Sequence, residues 1–164
     1  MNNSAQSKSS PATAWVVLKF GGTSVSSVNN WNNIADIVKA RLAEGLQPVI
    51  VHSAISKMTD SLELLLSRAM KGDWESALET IITRHRDLAR DMGIVLSPEL
   101  EEQFSKLRQI ASGIALVGEV SERLRARVMA QGELMATRLG ALFLASKGLD
   151  VQWIDARTVR SEER

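Results

Sequence analysis

The residues best suited to chemistry begin at Lys19-Phe20-Gly21-Gly22-Thr23-Ser24-Val25, where an apolar run enters a paired glycine and hydroxyl residues follow. Two adjacent glycines let backbone come close to a ligand with no Cβ in the way, and the free N–H groups of a helix start favour an anion. Lys19 adds a mobile positive charge, so phosphate is the guest this stretch suits. Its spacing matches neither G-x-x-x-x-G-K-[ST] nor G-x-G-x-x-G, which removes both of those phosphate-binding fingerprints. Further on, Ser53 and Thr59 offer hydroxyls that both donate and accept hydrogen bonds. The same hydroxyls also suit a strand end and a helix cap. Glu133 lies among residues suited to burial, where a carboxylate needs a cationic partner because its desolvation is costly. That partner is either a ligand or an arginine such as Arg125 or Arg138, and simple exposure of the glutamate is the remaining alternative.

These residues need a scaffold, and the pattern of apolar positions supplies one. Ala14 to Phe20 is a nearly continuous apolar run, which predicts a central strand buried on both faces. Val28, Trp31, Ile34, Ala35, Val38 and Leu42 recur at helical steps, predicting a helix from Ser26 or Ser27 to Ala43 with Gly45 as its stop. Pro48 to Ser53 reads as a second strand, and the order strand, helix, strand implies a parallel pair. Ligands in such sheets sit off the carboxyl ends of the strands, which puts Gly21, Gly22 and Ser53 at one edge. A helix follows with Leu62, Leu65, Leu66 and Met70 on its apolar face. Two more helices are predicted between Gly72 and Val117. Trp74, Leu78, Ile81, Ile82, Leu88, Ala89 and Met92 stripe the first, which stops near Gly93, and His85 borders that stripe. The second opens at Ser97-Pro98-Glu99, a capping serine, a first-turn proline and an acid at the positive dipole end. Glu133 falls on a helix that continues through Leu139, Leu142, Phe143 and Leu144 to Gly148, and Val151 to Arg157 reads as a third strand running into a loop.

Composition narrows the classes. The 164 residues are 45% hydrophobic and 24% charged, as in an ordinary globular domain, and the net charge of +1 gives no field directed at nucleic acid or a membrane surface. Cysteine is absent and the two histidines are far apart, which excludes thiolate chemistry and makes a histidine zinc site a poor reading. Residues 1–13 are rich in Asn, Ser and Ala and read as a disordered tail without the apolar core of a secretory signal. A cytoplasmic location is expected.

Taken together and in order, these stretches resemble the aspartate kinases of the amino-acid-kinase family. The resemblance rests on Lys19 through Val25, on Ser53-Ala54 followed by Thr59-Asp60, on Gly132-Glu133 with Ala136 where many relatives place a serine, and on the closing Asp155-Ala156-Arg157. It runs from Val16 to Arg160. It implies a three-layer αβα fold with a mainly parallel sheet, incomplete in this chain, with residues 14–164 forming the amino-terminal, substrate-side part of the kinase domain. The implied reaction moves the γ-phosphoryl of ATP to the side-chain carboxylate of aspartate, opening the routes to lysine, threonine and methionine. Lys19 would act catalytically on the transferring phosphoryl group, with Phe20, Gly21, Gly22 and Thr23 completing the ATP phosphate site. Ser53, Thr59 and Glu133 would hold aspartate, Glu133 facing its ammonium. Magnesium comes with the nucleotide, with no ligands assigned in this chain. The resemblance further implies a downstream nucleotide-binding half, usually followed by a regulatory region; a fusion to another enzyme and a homo-oligomer are also expected. Two alternatives stand beside it: another acyl-phosphate-forming kinase of the same fold, and a non-catalytic binding or assembly fragment.

Overall fold

The computed structural model describes residues 14–159; the predicted tail lies outside them. Strand β1 (Trp15–Phe20) leads through a single 3-10 turn at Thr23–Val25 into helix α1 (Val28–Ala43), and strand β2 (Gln47–His52) returns beside β1. Helices α2 (Met58–Ala69), α3 (Glu75–Met92), α4 (Pro98–Val117) and α5 (Glu122–Ser146) follow, and a second 3-10 turn spans Ala156–Thr158. The strands are parallel, with Trp15 opposite Gln47 and Phe20 opposite His52. Ser53 extends the ladder by donating its N–H to the Phe20 carbonyl at 3.2 Å, so the glycine turn and Ser53 leave the sheet at one edge.

Local chemistry explains the first helix well. Ser27 caps α1 by accepting the Asn30 N–H, and Gly45, in the left-handed region at φ +79°, lets the chain turn back. Trp31, Ile34, Ala35 and Val38 face inward. The Trp31 indole is 1% exposed and donates to the Val25 carbonyl at 3.0 Å, which ties the helix to the turn before it. α2 sits at the centre of the helical layer, touching α3, α4 and α5, and buries Met58, Leu62, Leu65, Leu66 and Ala69.

Several expectations need correction. β1 is not buried on both faces: Trp15 and Val17 are 70% and 66% exposed, while Leu18 and Phe20 pack on the helical core. Side chains alternate along a strand, and the described helices cover only the face bearing Leu18, Phe20 and Ile50, leaving Val49 and Val51 outside as well. β1 has β2 as its one described neighbour, so within the described residues it is not central. Residues 151–155 form no ladder, because no described strand lies beside them. α5 holds that segment instead: Trp153 donates Nε1–H to the Thr137 hydroxyl at 3.0 Å, and the Arg138 guanidinium stacks 3.8 Å above its ring. Met70 stands just past the end of α2 and is exposed. Ser97 stands at the cap position of α4 but its side chain caps no backbone N–H; its hydroxyl instead holds the Glu99 carboxyl below its ordinary pKa. His85 lies fully inside the core rather than at its border.

Candidate active site at the sheet edge

The glycine turn does two different jobs. Gly21 has open space where a Cβ would be, so its backbone is reachable from solvent. Gly22 has an ordinary helical φ of −57°, and what it supplies is room: a Cβ there would lie 2.8 Å from the Ala54 carbonyl oxygen and 3.4 Å from the Ser56 backbone. Glycine therefore lets the turn press against the loop that follows β2. Gly132 repeats the device on α5, where a Cβ would meet the Ala54 Cβ and the Leu62 Cδ1 at 3.1 Å and the Met58 Cγ at 3.2 Å. The helix seats directly on that loop, and the next residue, Glu133, is carried to its rim.

The result is a cavity of about 360 Å³ lined by Gly22, by residues 53–60 and by Glu133. Among its lining residues Ser53, Ser56 and Thr59 carry hydroxyls, Lys57 an ammonium, and Asp60 and Glu133 carboxylates. The first turn of α2 forms part of its wall, and N–H groups there lack partners within the helix. Thr59 does not cap α2. Lys57 occupies the cap position, in the left-handed region at φ +60°, which leaves the Thr59 side chain exposed in the cavity wall. A larger cleft, about 420 Å³, lies between α3 and α4, but its charges are already paired: Arg86 with Glu101 at 3.1 Å and Arg90 with Asp87 at 2.7 Å.

Glu133 is exposed rather than buried, and among the described residues it forms no ion pair. The arginines named as its alternatives are engaged elsewhere, Arg125 with Glu63 and Arg138 with Trp153. Helix α5 turns Glu133 away from the core because Gln131, Gly132, Met135 and Ala136 take the buried positions around it.

The cavity unites Gly22, Ser53, Thr59 and Glu133 and leaves out Lys19, Phe20, Gly21 and Thr23. Lys19 shares the open face of β1 with Trp15 and Val17, the Phe20 ring packs on the core, and the Thr23 carbonyl accepts from Asn30 Nδ2 at 3.0 Å. Asp155 is bound to Arg157 by paired hydrogen bonds, which hold its carboxyl below the usual range. His52 lies behind Ser53, with Nδ1 2.9 Å from the Ser53 carbonyl, and burial lowers its pKa. Sequence reasoning missed Arg84, which reaches the loop from α3 and donates to the Ser56 carbonyl at 2.5 Å. No sequence signal marks it, since the two residues stand 28 positions apart. No group of three or more His, Asp or Glu side chains that could hold a metal ion occurs among the described residues.

The chain, with its glycine turn and hydroxyl-lined loop at one edge of a parallel sheet, matches the amino acid kinase family over residues 14–164. It belongs to that family. Among its relatives are the chloroplastic bifunctional aspartokinase/homoserine dehydrogenase 2 of Arabidopsis thaliana, 32% identical over 88% of this chain and 16% of the relative, and the chloroplastic aspartokinase 1 of the same plant, 32% identical over 85% and 25%. A crystal structure of E. coli aspartokinase III in complex with aspartate and ADP superposes with a TM-score of 0.76 at 28% identity, covering 89% of this chain and 32% of that one. The chain thus spans a third or less of the length of these relatives.

Proposed function

We propose that this chain supplies the acceptor side of an aspartate kinase. The observation that carries the reading is the cavity in which Ser53, Thr59 and an unpaired Glu133 converge beside Gly22 at the carboxyl edge of the sheet. An amino acid with a carboxylate side chain is a zwitterion plus one negative charge, and this cavity offers each part a partner. Glu133, with Asp60 nearby, attracts the ammonium; the Ser53 and Thr59 hydroxyls and the first-turn N–H groups of α2 can donate hydrogen bonds to carboxylates. The likeness to a solved aspartokinase holding aspartate and ADP supports the same reading.

In the reaction, a side-chain carboxylate oxygen of aspartate attacks the γ-phosphorus of ATP. The bond from that phosphorus to the β,γ-bridging oxygen breaks, leaving ADP and an acyl phosphate, and no proton has to move. Such chemistry depends on alignment and on charge stabilisation rather than on a protein nucleophile. Lys19 and the open Gly21 backbone stand at the same carboxyl edge of the sheet, next to the cavity-lining Gly22 but outside the lining itself, which suits them to the donor phosphates. Magnesium would come with the nucleotide, and no step is assigned to it.

Coupled ADP release by the native polypeptide tests the reading. Aspartate should drive it, and Glu133→Gln should raise the aspartate KM about 10-fold, the low end of what loss of a charge-assisted hydrogen bond costs, because Glu133 is exposed. The ATP KM should hold. An unchanged aspartate KM in Glu133→Gln, or ADP release driven by a different acid, would overturn it.

A further inference from the structure

The loop between β2 and α2 is held on two sides at Ser56. The Ser56 N–H donates to the Ser26 hydroxyl oxygen at 2.9 Å, and that hydroxyl donates in turn to the Gly22 carbonyl at 2.5 Å. On its other side the Ser56 carbonyl accepts from Arg84 Nη2 at 2.5 Å. The same guanidinium reaches the Ser61 hydroxyl at 3.5 Å, and Ser61 donates both its N–H and its hydroxyl to the Lys57 carbonyl. Lys57, next to Ser56, is the one non-glycine residue with positive φ among the described residues. For a residue with a Cβ that conformation is unfavourable by about 1 kcal/mol or more, and it persists where the surroundings over-determine it. The bonds on both sides of Ser56 are such surroundings.

We propose that Ser26 and Arg84 are positioning residues for phosphoryl transfer: together they fix the Ser53–Thr59 loop against the glycine turn and so set the separation between acceptor and donor groups. The proposal rests on the aspartate kinase reading of this cavity. Neither residue lines the cavity, so each acts through the backbone it holds. Ser26 is the link between the two halves, because one hydroxyl joins Gly22 of the turn to Ser56 of the loop. Arg84 anchors the same loop to the buried helix layer through α3. Reacting groups that must meet within a narrow distance lose rate when their supports loosen, even if every contacting side chain remains.

Two measurements test this, the first without substrate. In Ser26→Ala the Ser56 amide should exchange its hydrogen roughly 3- to 10-fold faster, the scale of one lost hydrogen bond, while Ser26→Thr, which keeps the hydroxyl, should restore protection. In steady-state kinetics of the native polypeptide, Ser26→Ala and Arg84→Met should each raise the aspartate KM and lower kcat, with kcat/KM falling about 3- to 10-fold or more, and leave the ATP KM within about twofold. Arg84→Lys, still charged but without the planar fork, should fall between. The double variant should lose less than the product of the single losses, because both residues hold one peptide. Unaltered Ser56 exchange in Ser26→Ala overturns the clamp. Faster exchange with an unchanged aspartate KM and kcat, or an ATP KM that rises equally, overturns the positioning role. If the wild type shows no aspartate-dependent ADP release, the functional reading fails and the positioning role with it, whereas the exchange result still decides whether the clamp exists. Should Ser26→Ala not fold, Arg84→Lys and Arg84→Met carry the same kinetic test.

Discussion

Replacing Gly140 with alanine should destabilise the fold even though alanine is the better helix former. Gly140 lies in α5, seven residues after Glu133 on the helix that borders the cavity. A Cβ there would stand 2.2 Å from Trp31 Cη2, 2.8 Å from Cζ2 and 3.0 Å from His52 Nε2. The indole has nowhere to go: it is 1% exposed, hydrogen-bonded to the Val25 carbonyl, and packed edge-on against His52 at a centroid distance of 5.2 Å. Overpacking of this kind costs about 1–3 kcal/mol, and a 2.2 Å contact belongs at the upper end. Gain in helix propensity returns about 1 kcal/mol, so the net loss is about 2 kcal/mol. Gly113 in α4 supplies the control, because nothing lies within 4 Å of its Cβ position and Gly113→Ala should simply gain about 1 kcal/mol. The two variants should therefore differ by about 3 kcal/mol, or roughly 6–12 °C in Tm at about 2–4 °C per kcal/mol. Urea and thermal unfolding followed by circular dichroism would measure this. Trp31→Phe withdraws the clashing ring atoms, so Gly140→Ala should be less damaging in that background. The reasoning fails if Gly140→Ala matches Gly113→Ala in stability or if Trp31→Phe leaves its effect unchanged.

Lys19→Met should lower kcat by about 100-fold or more and change aspartate affinity less, because the charge it removes acts on the transferring phosphoryl group; equal losses in both constants, measured by coupled ADP release, would place Lys19 in ground-state binding instead. His85 predicts a pH dependence. Burial, reinforced by the nearby Arg84 charge, pushes its pKa down to about 4, although its hydrogen bond to the Ile81 carbonyl opposes the shift. The imidazole thus stays neutral in the fold while the unfolded chain takes up a proton below its ordinary value of 6.5. Stability from this source is complete above pH 6.5 and falls toward pH 4, by up to about 3 kcal/mol. His85→Leu should flatten that part of the profile in urea titrations at successive pH values, and an unaltered slope would show that carboxylates such as Glu99 and Asp155 account for it.

Much of the chain's organisation is local and was legible from residue order. Ser27 and Gly45 bound α1 because capping and a left-handed turn depend on neighbours a few positions away. The apolar steps around Trp31 and Leu62 mark helix faces, and the strand-helix-strand order forces the parallel pair that brings Gly22 and Ser53 to one edge. The order of the motifs was enough to point to the family. Other features were decided only by tertiary packing. An apolar run such as Trp15–Phe20 cannot say whether one or both of its faces are covered, since that depends on which helices lie across it. Residues 151–155 have a strand's composition but no described partner, and a strand exists only by pairing. The neighbours of Glu133 in sequence suit burial and leave open whether the carboxylate is paired, ligand-bound or exposed; the rotation of α5 puts those neighbours inward and the carboxylate at the cavity rim. The hold of Ser26 and Arg84 on Ser56 joins positions 30 and 28 residues apart, a distance over which only the packed fold, and no local preference, brings two groups within a hydrogen bond.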